Sequence, residues 1–171
     1  MSDSPPLIVG LGEALYDLLP AGPALGGAPL NATVQAHQLG NNAVVASRIG
    51  HDALGQALLD DLAGRGMDTN FIQRDPDAPT GTVEVTLRDG EPEYDIKRGT
   101  AWDRLAWDEP LAGLAKRCDA VCFGTLDDPA IRHRRQPSRS AVRPQPAAGL
   151  FLGRADRGRL PRRLDRQDER G

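Results

Sequence analysis

From Leu25 to Gly40 the sequence reads LGGAPLNATVQAHQLG. Two adjacent glycines, Gly26 and Gly27, and then Pro29 lead into Asn31, and a stretch with helical spacing follows. Glycine leaves the backbone bare, so a ligand can approach the Gly27 amide closely. The Asn31 side chain offers a donor and an acceptor together. That combination would let the mouth of a helix hydrogen-bond a polar ligand. It would equally serve an ordinary turn, with Asn31 as the helix-entry residue.

Alternating elements surround this stretch. PLIVGLGE is a short apolar run closed by glycine, as expected of a buried strand. APLNATVQAHQLG places Leu30, Val34 and Leu39 near one face and ends on Gly40, a helix with a glycine stop. NAVVASRIG is the next buried strand, and DALGQALLDDLAGRG repeats Leu54, Leu58, Leu59 and Leu62 at helical spacing. TNFIQR is a third strand, so the rhythm is βαβαβ and predicts a parallel sheet covered by helices. The rhythm breaks at TGTVEVTLRDGEPEYDIKRG, where Val83, Val85 and Leu87 alternate up to an Asp89-Gly90 turn and Tyr94 and Ile96 resume. Such a hairpin cannot be a core parallel strand and is expected to leave the main sheet as a flap. LAGLAKRC and DAVCFGTL restore the helix and strand alternation. Ligands of parallel sheets bind beyond the carboxyl ends of the strands, where GLGE and IGHD fall.

Composition narrows the classes. The 171 residues are 39% hydrophobic and 26% charged, within the soluble globular range. No apolar stretch approaches the ~20 residues of a membrane span. MSDSPPLIVG does not read as a signal peptide. Cys118 and Cys122 lack further cysteine or nearby histidine for a zinc site, so they are expected as buried thiols in a reducing cytoplasm. No metal site is expected. GLGE lacks the third glycine of a dinucleotide fingerprint. Asp52 and Gly55 are expected to shape a strand-to-helix turn, Trp102 and Trp107 to pack, and His37 and His51 have no catalytic partner in sequence. Glu13 stands at a strand end, either facing the cleft or capping a helix.

Gly26, Gly27, Pro29, Asn31, Thr33, Gly40 and Gly50, followed by GHDALG, hold a spacing that resembles the first signature of the PfkB-type carbohydrate kinases. GEALYDLLP, TGTVEVTL, AWD and DAVCFGTL look most like the fructokinase branch, and the resemblance covers roughly residues 7 to 126. It implies an α/β, ribokinase-like, Rossmann-type three-layer fold with a small β-hairpin lid, built here from about residues 13–28 and 80–100. It implies a sugar as substrate, with ATP and Mg2+ as co-substrate and cofactor. Asp17, Gly26, Gly27 and Asn31 then become sugar contacts, which suits a ligand presenting only hydroxyls. Tyr94 and Arg98 become candidate lid contacts, the hairpin a cover that excludes water, and its apolar face a possible homodimer surface.

The resemblance also implies parts that this sequence does not carry. The family places its catalytic aspartate in a late Gly-Ala-Gly-Asp segment, whose helix N-terminus also stabilises the developing charge. No such segment follows Thr125, and the chain is therefore expected to be a truncated form without catalytic residues or kinase activity. The charge changes sign at the same place. Residues 1–131 carry 9 Lys and Arg against 20 Asp and Glu, whereas residues 132–171 carry 12 Arg and 4 acids. From about Asp127 the tail is rich in Arg and Pro and shows no sustained period, as a shifted reading frame in a GC-rich gene would produce. A basic arm for nucleic acid is the rival reading, but Phe151 is its only aromatic residue. A non-catalytic sugar-binding or dimerising remnant is a further alternative.

Overall fold

The computed structural model describes residues 4–88, 91–124 and 150–151. Strand β1 (Leu7–Leu11) is followed by β2 (Leu15–Leu19), β3 (Gly22–Gly26), α1 (Ala28–Gln38) and β4 (Asn42–Gly50). Then come α2 (Ala53–Gly64), β5 (Ile72–Asp75), β6 (Gly81–Arg88), β7 (Glu91–Ile96), α3 (Glu109–Arg117), β8 (Ala120–Phe123) and β9 (Leu150–Phe151). The main sheet has the order β5-β4-β1-β8-β9, in which β5, β4, β1 and β8 are parallel and β9 joins β8 antiparallel.

Strand β4 shows why three layers form. Val45 and Ile49 pack with Leu30 and Val34 of α1 and Leu58 and Leu62 of α2. The intervening Val44 and Ala46 pack with Leu111 and Leu114 of α3. Alternate residues of a strand face opposite sides, so a strand apolar at successive positions, as β4 is from Ala43 to Ala46, must be covered on both. Burying each of the fully enclosed Leu30, Ile49, Leu58 and Leu62 contributes about 1.5–3 kcal/mol. The expected helix stop holds, since Gly40 closes α1 with φ +85°. Leu39 corrects the expected apolar face of α1. It lies just past the last helical turn and is 82% exposed.

The first turn of α1 sits directly on β1. A Cβ on Gly10 would run into Pro29 and the Thr33 hydroxyl, and that hydroxyl is turned back onto the Pro29 carbonyl at 2.7 Å.

The hairpin β6–β7 does leave the main sheet. It belongs to a second sheet of order β3-β2-β6-β7, in which β2 runs parallel to β6. One face of β2 turns Tyr16 and Leu18 into the core shared with α1 and α2. On the other face Leu15 meets Val83, Val85 and Ile96. The Asp89-Gly90 turn, the surroundings of Leu87 and most of the tail lie outside the described residues. Trp102 is buried as expected, but Trp107 is 66% exposed rather than packed, because it falls in the extended link before α3.

Candidate functional site at the start of the first helix

Register places the candidate residues. Asp17 lies opposite Ala24 on β3 and Val83 on β6, two pairs along from Leu15 opposite Gly26. Its carboxylate leans back over Gly26, so that a Cβ on Gly26 would stand 2.6 Å from Asp17 Oδ2. Gly26 is therefore a glycine because the Asp17 carboxylate and the buried Leu15 side chain occupy its side-chain space. Burial holds the Asp17 carboxyl above its usual range. Among the described residues no protein group hydrogen-bonds that carboxylate.

Gly27 has a different task. It adopts φ +103° as the N-cap of α1, and a Cβ there would strike the backbone carbonyl of Glu13. The chain can turn from β3 into α1 against the end of β1 only with bare backbone at this position. No side chain caps α1, so its first-turn amides are left for solvent or a ligand. Asn31 is not the helix-entry residue. It lies one turn inside, donating its backbone amide to the Gly27 carbonyl at 2.9 Å, with its side chain exposed.

Asp17, Gly26, Gly27 and Asn31 thus gather around the β3–α1 junction. The other candidates are further out. Tyr94 pairs with Val85, which puts it on the same face of the second sheet as Asp17, 55% exposed. Arg98 lies past the end of β7 and is exposed, outside the strand pairing that places Tyr94.

The sequence left Glu13 open, and the structure buries it to 3% exposure at the carboxyl end of β1. Its backbone backs onto Gly27 and its carboxylate fills the side-chain space of Gly124, after β8. Its only sequence signal was its place next to the strand-ending glycine. Asp52 is the N-cap of α2 and accepts from the Gly55 amide at 2.8 Å, the turn-shaping role expected of both residues. His37 is engaged with the Arg65 carbonyl at 2.9 Å, and Cys118 and Cys122 are buried free thiols.

A carboxylate with no protein hydrogen bond among the described residues and an uncapped helix start meet at the β3–α1 junction. Residues 23–123 match the pfkB family of carbohydrate kinases. The chain belongs to that family. Among its pfkB relatives, a fructokinase of Vibrio alginolyticus is 31% identical over 153 residues, covering 82% of this chain and 47% of that protein. The crystal structure of an uncharacterised sugar kinase from Pyrococcus horikoshii matches with TM-score 0.63 at 26% identity, over 74% of this chain and 46% of that one. The fructokinase of Xylella fastidiosa with bound ATP matches with TM-score 0.59 at 29% identity, over 70% and 39%. The α/β, ribokinase-like fold is thereby established, and the chain spans about half the length of the pfkB relatives it matches.

Proposed function

We propose that this chain carries the sugar-recognition part of a fructokinase-like, ATP-dependent carbohydrate kinase. The observation that supports this most directly is the Asp17 carboxylate, half-buried and without a protein hydrogen bond among the described residues. Other aspartates are committed, Asp52 and Asp108 to helix caps and Asp75 to an arginine. A desolvated acceptor without a partner is costly unless a ligand supplies donors, and sugar hydroxyls would supply them. Asn31 would add a donor and an acceptor, and the first-turn amides of α1 further donors. The second sheet, with Tyr94 on the Asp17 face, would be the cover over the bound ring.

ATP is bound by solved relatives from Xylella fastidiosa and Pyrococcus horikoshii, and is the phosphoryl donor in this reading. Mg2+ would accompany it. Among the described residues no group of three or more His, Cys, Asp or Glu could hold a metal ion, so no step through Mg2+ is derived from these residues. The sequence contains no Gly-Ala-Gly-Asp segment, and the proposed activity of the chain by itself is sugar binding without transfer. No described helix is long and apolar enough to cross a membrane.

The test is fructose-dependent stabilisation of the purified chain. Ligand at a hundred times its Kd adds about 2.7 kcal/mol to unfolding free energy, so saturating fructose should raise Tm in the parent and not in Asp17→Asn. Absence of any shift with fructose or related hexoses would overturn the reading. A coupled ADP-release assay should show no turnover. Among the described residues of the second sheet, Leu19 and Tyr94 are the exposed large hydrophobics through which it could associate, and sedimentation would show whether a dimer forms.

A further inference from the structure

The IGHDALG stretch has been explained only as a turn, yet its aspartate does more than cap a helix. An N-cap carboxylate needs one oxygen for the helix amide, and the other usually meets solvent. Asp52 has no oxygen to spare. Oδ1 accepts from the Gly55 amide at 2.8 Å and from the Thr80 hydroxyl at 2.7 Å, and Oδ2 accepts from the Thr80 amide at 2.8 Å. The Thr80 hydroxyl oxygen accepts in turn from the Gly50 amide at 3.0 Å. Thr80 is the last residue before β6, the outgoing strand of the hairpin.

The two glycines of the stretch follow from this arrangement. A Cβ on Gly50 would collide with the Asp52 carboxylate and the Thr80 amide, and one on Gly55 would stand 2.8 Å from the Thr80 hydroxyl. The spacing Gly50, Asp52, Gly55 is thus what a carboxylate needs to grip Thr80 while capping α2.

The rest of the hairpin stem is held nearby. Asp75, at the end of β5, accepts from the Asp77 and Ala78 amides at 2.9 and 2.8 Å, pairs with Arg48 at 2.8 Å and faces Arg104 at 3.7 Å. The returning segment donates the Ala101 amide to the Pro79 carbonyl at 2.8 Å. Trp102 then lies against Gly81, its Cδ1 2.7 Å from where a Cβ would be.

We propose that Asp52 is a positioning residue for the β6–β7 hairpin: one carboxylate ties the start of α2 to Thr80 and fixes how the second sheet stands relative to the Gly26–Gly27 junction. This goes beyond the sugar-kinase reading and does not depend on it, because no sugar enters the test.

Amide hydrogen exchange of the full chain tests it with two variants. Asp52→Ser keeps an N-cap acceptor but is too short to hold Thr80 as well, and Thr80→Val removes the hydroxyl while leaving the α2 cap. Exchange in β6 and β7 should rise at least tenfold in Asp52→Ser and in the same direction in Thr80→Val, with β1, β4 and α2 unchanged. Should Asp52→Ser fail to fold, Thr80→Val carries the test. Unchanged β6–β7 exchange would overturn the proposal, as would a rise spread equally over β1 and β4, the mark of a merely structural role.

Discussion

The Asp17 carboxylate occupies the space that a side chain on Gly26 would need, with Oδ2 2.6 Å from the missing Cβ. The neighbouring Gly27 is bare for another reason, since its φ is +103° and the Glu13 carbonyl fills its side-chain space. The pair therefore separates into one glycine that places a site group and one that permits a turn.

Alanine substitutions should separate them in the same way. In Gly26→Ala the methyl meets two side-chain ends, the Asp17 carboxylate and Leu15 Cδ1, rather than backbone, so fructose-dependent stabilisation should vanish while the fold loses less than in Gly27→Ala. In Gly27→Ala the methyl meets backbone at a positive φ, and such strain costs about 1–3 kcal/mol. Urea unfolding monitored by circular dichroism, with and without fructose, distinguishes the two.

Asp17 should trade stability for its exposed charge. Its carboxyl titrates above the usual range because burial disfavours the ion. The folded state therefore holds its proton more tightly than the unfolded chain, and stability falls as pH rises through the raised value. Asp17→Asn should stabilise the chain at pH 7 by about 0.5 kcal/mol or less, given solvent screening of a half-exposed group. Below the ordinary aspartate range near pH 4 the gain should disappear. A pH series of urea midpoints for the two proteins would show this crossover or its absence.

Asp52 has the opposite sign. Burial alone would raise its carboxyl, but hydrogen bonds from Thr80 and Gly55, with Arg74 nearby, outweigh it and hold the group below its usual value. Its contribution is complete above the unfolded aspartate value and is lost as pH falls below it. Asp52→Ala should cost about 2–4 kcal/mol at pH 7, combining a lost cap with unsatisfied Thr80 groups. The difference from the parent should narrow in acid. Asp75 is lowered as well, chiefly by the Asp77 and Ala78 amides and by Arg48 and Arg104, so acid should loosen both grips on the hairpin stem.

The two cysteines should be silent in the native state. Burial pushes both thiols up, helped at Cys122 by the negative charge of Glu13. A thiolate is the reactive form, so a disulfide reagent should label neither at pH 7.5 before unfolding and both in 6 M guanidinium. Rapid labelling of the native chain would contradict the packing around β8.

Much of the main sheet was legible because its strands and helices have unambiguous periods. β4 is apolar at successive positions, and α2 repeats leucine at helical spacing, so both were readable. The β2–β3 pair was not resolved into strands, because Leu15, Tyr16 and Leu18 serve two opposite faces and leave no alternation. Leu39 and Trp107 misled for a related reason: an apolar residue just past a helix end, or in a link, has no packed neighbour to meet. At the site, Asp17 and Gly26 were found through family resemblance, and their mutual contact became visible only in three dimensions. The second task of Asp52 was hidden because Thr80, its partner, lies 28 residues away in sequence.

The parallel pairing of β2 with β6 joins Leu15 to Gly81 across β3, α1, β4, α2 and β5. During synthesis the β2–β3 hairpin must therefore wait for its partner strand, which the ribosome delivers on the order of seconds later. A two-stranded hairpin alone is marginal in water, and in that interval the Leu15 side of β2 has nothing to cover it. The arrival of β6 is thus a long-range closure step, and until it comes the second sheet needs protection from premature association.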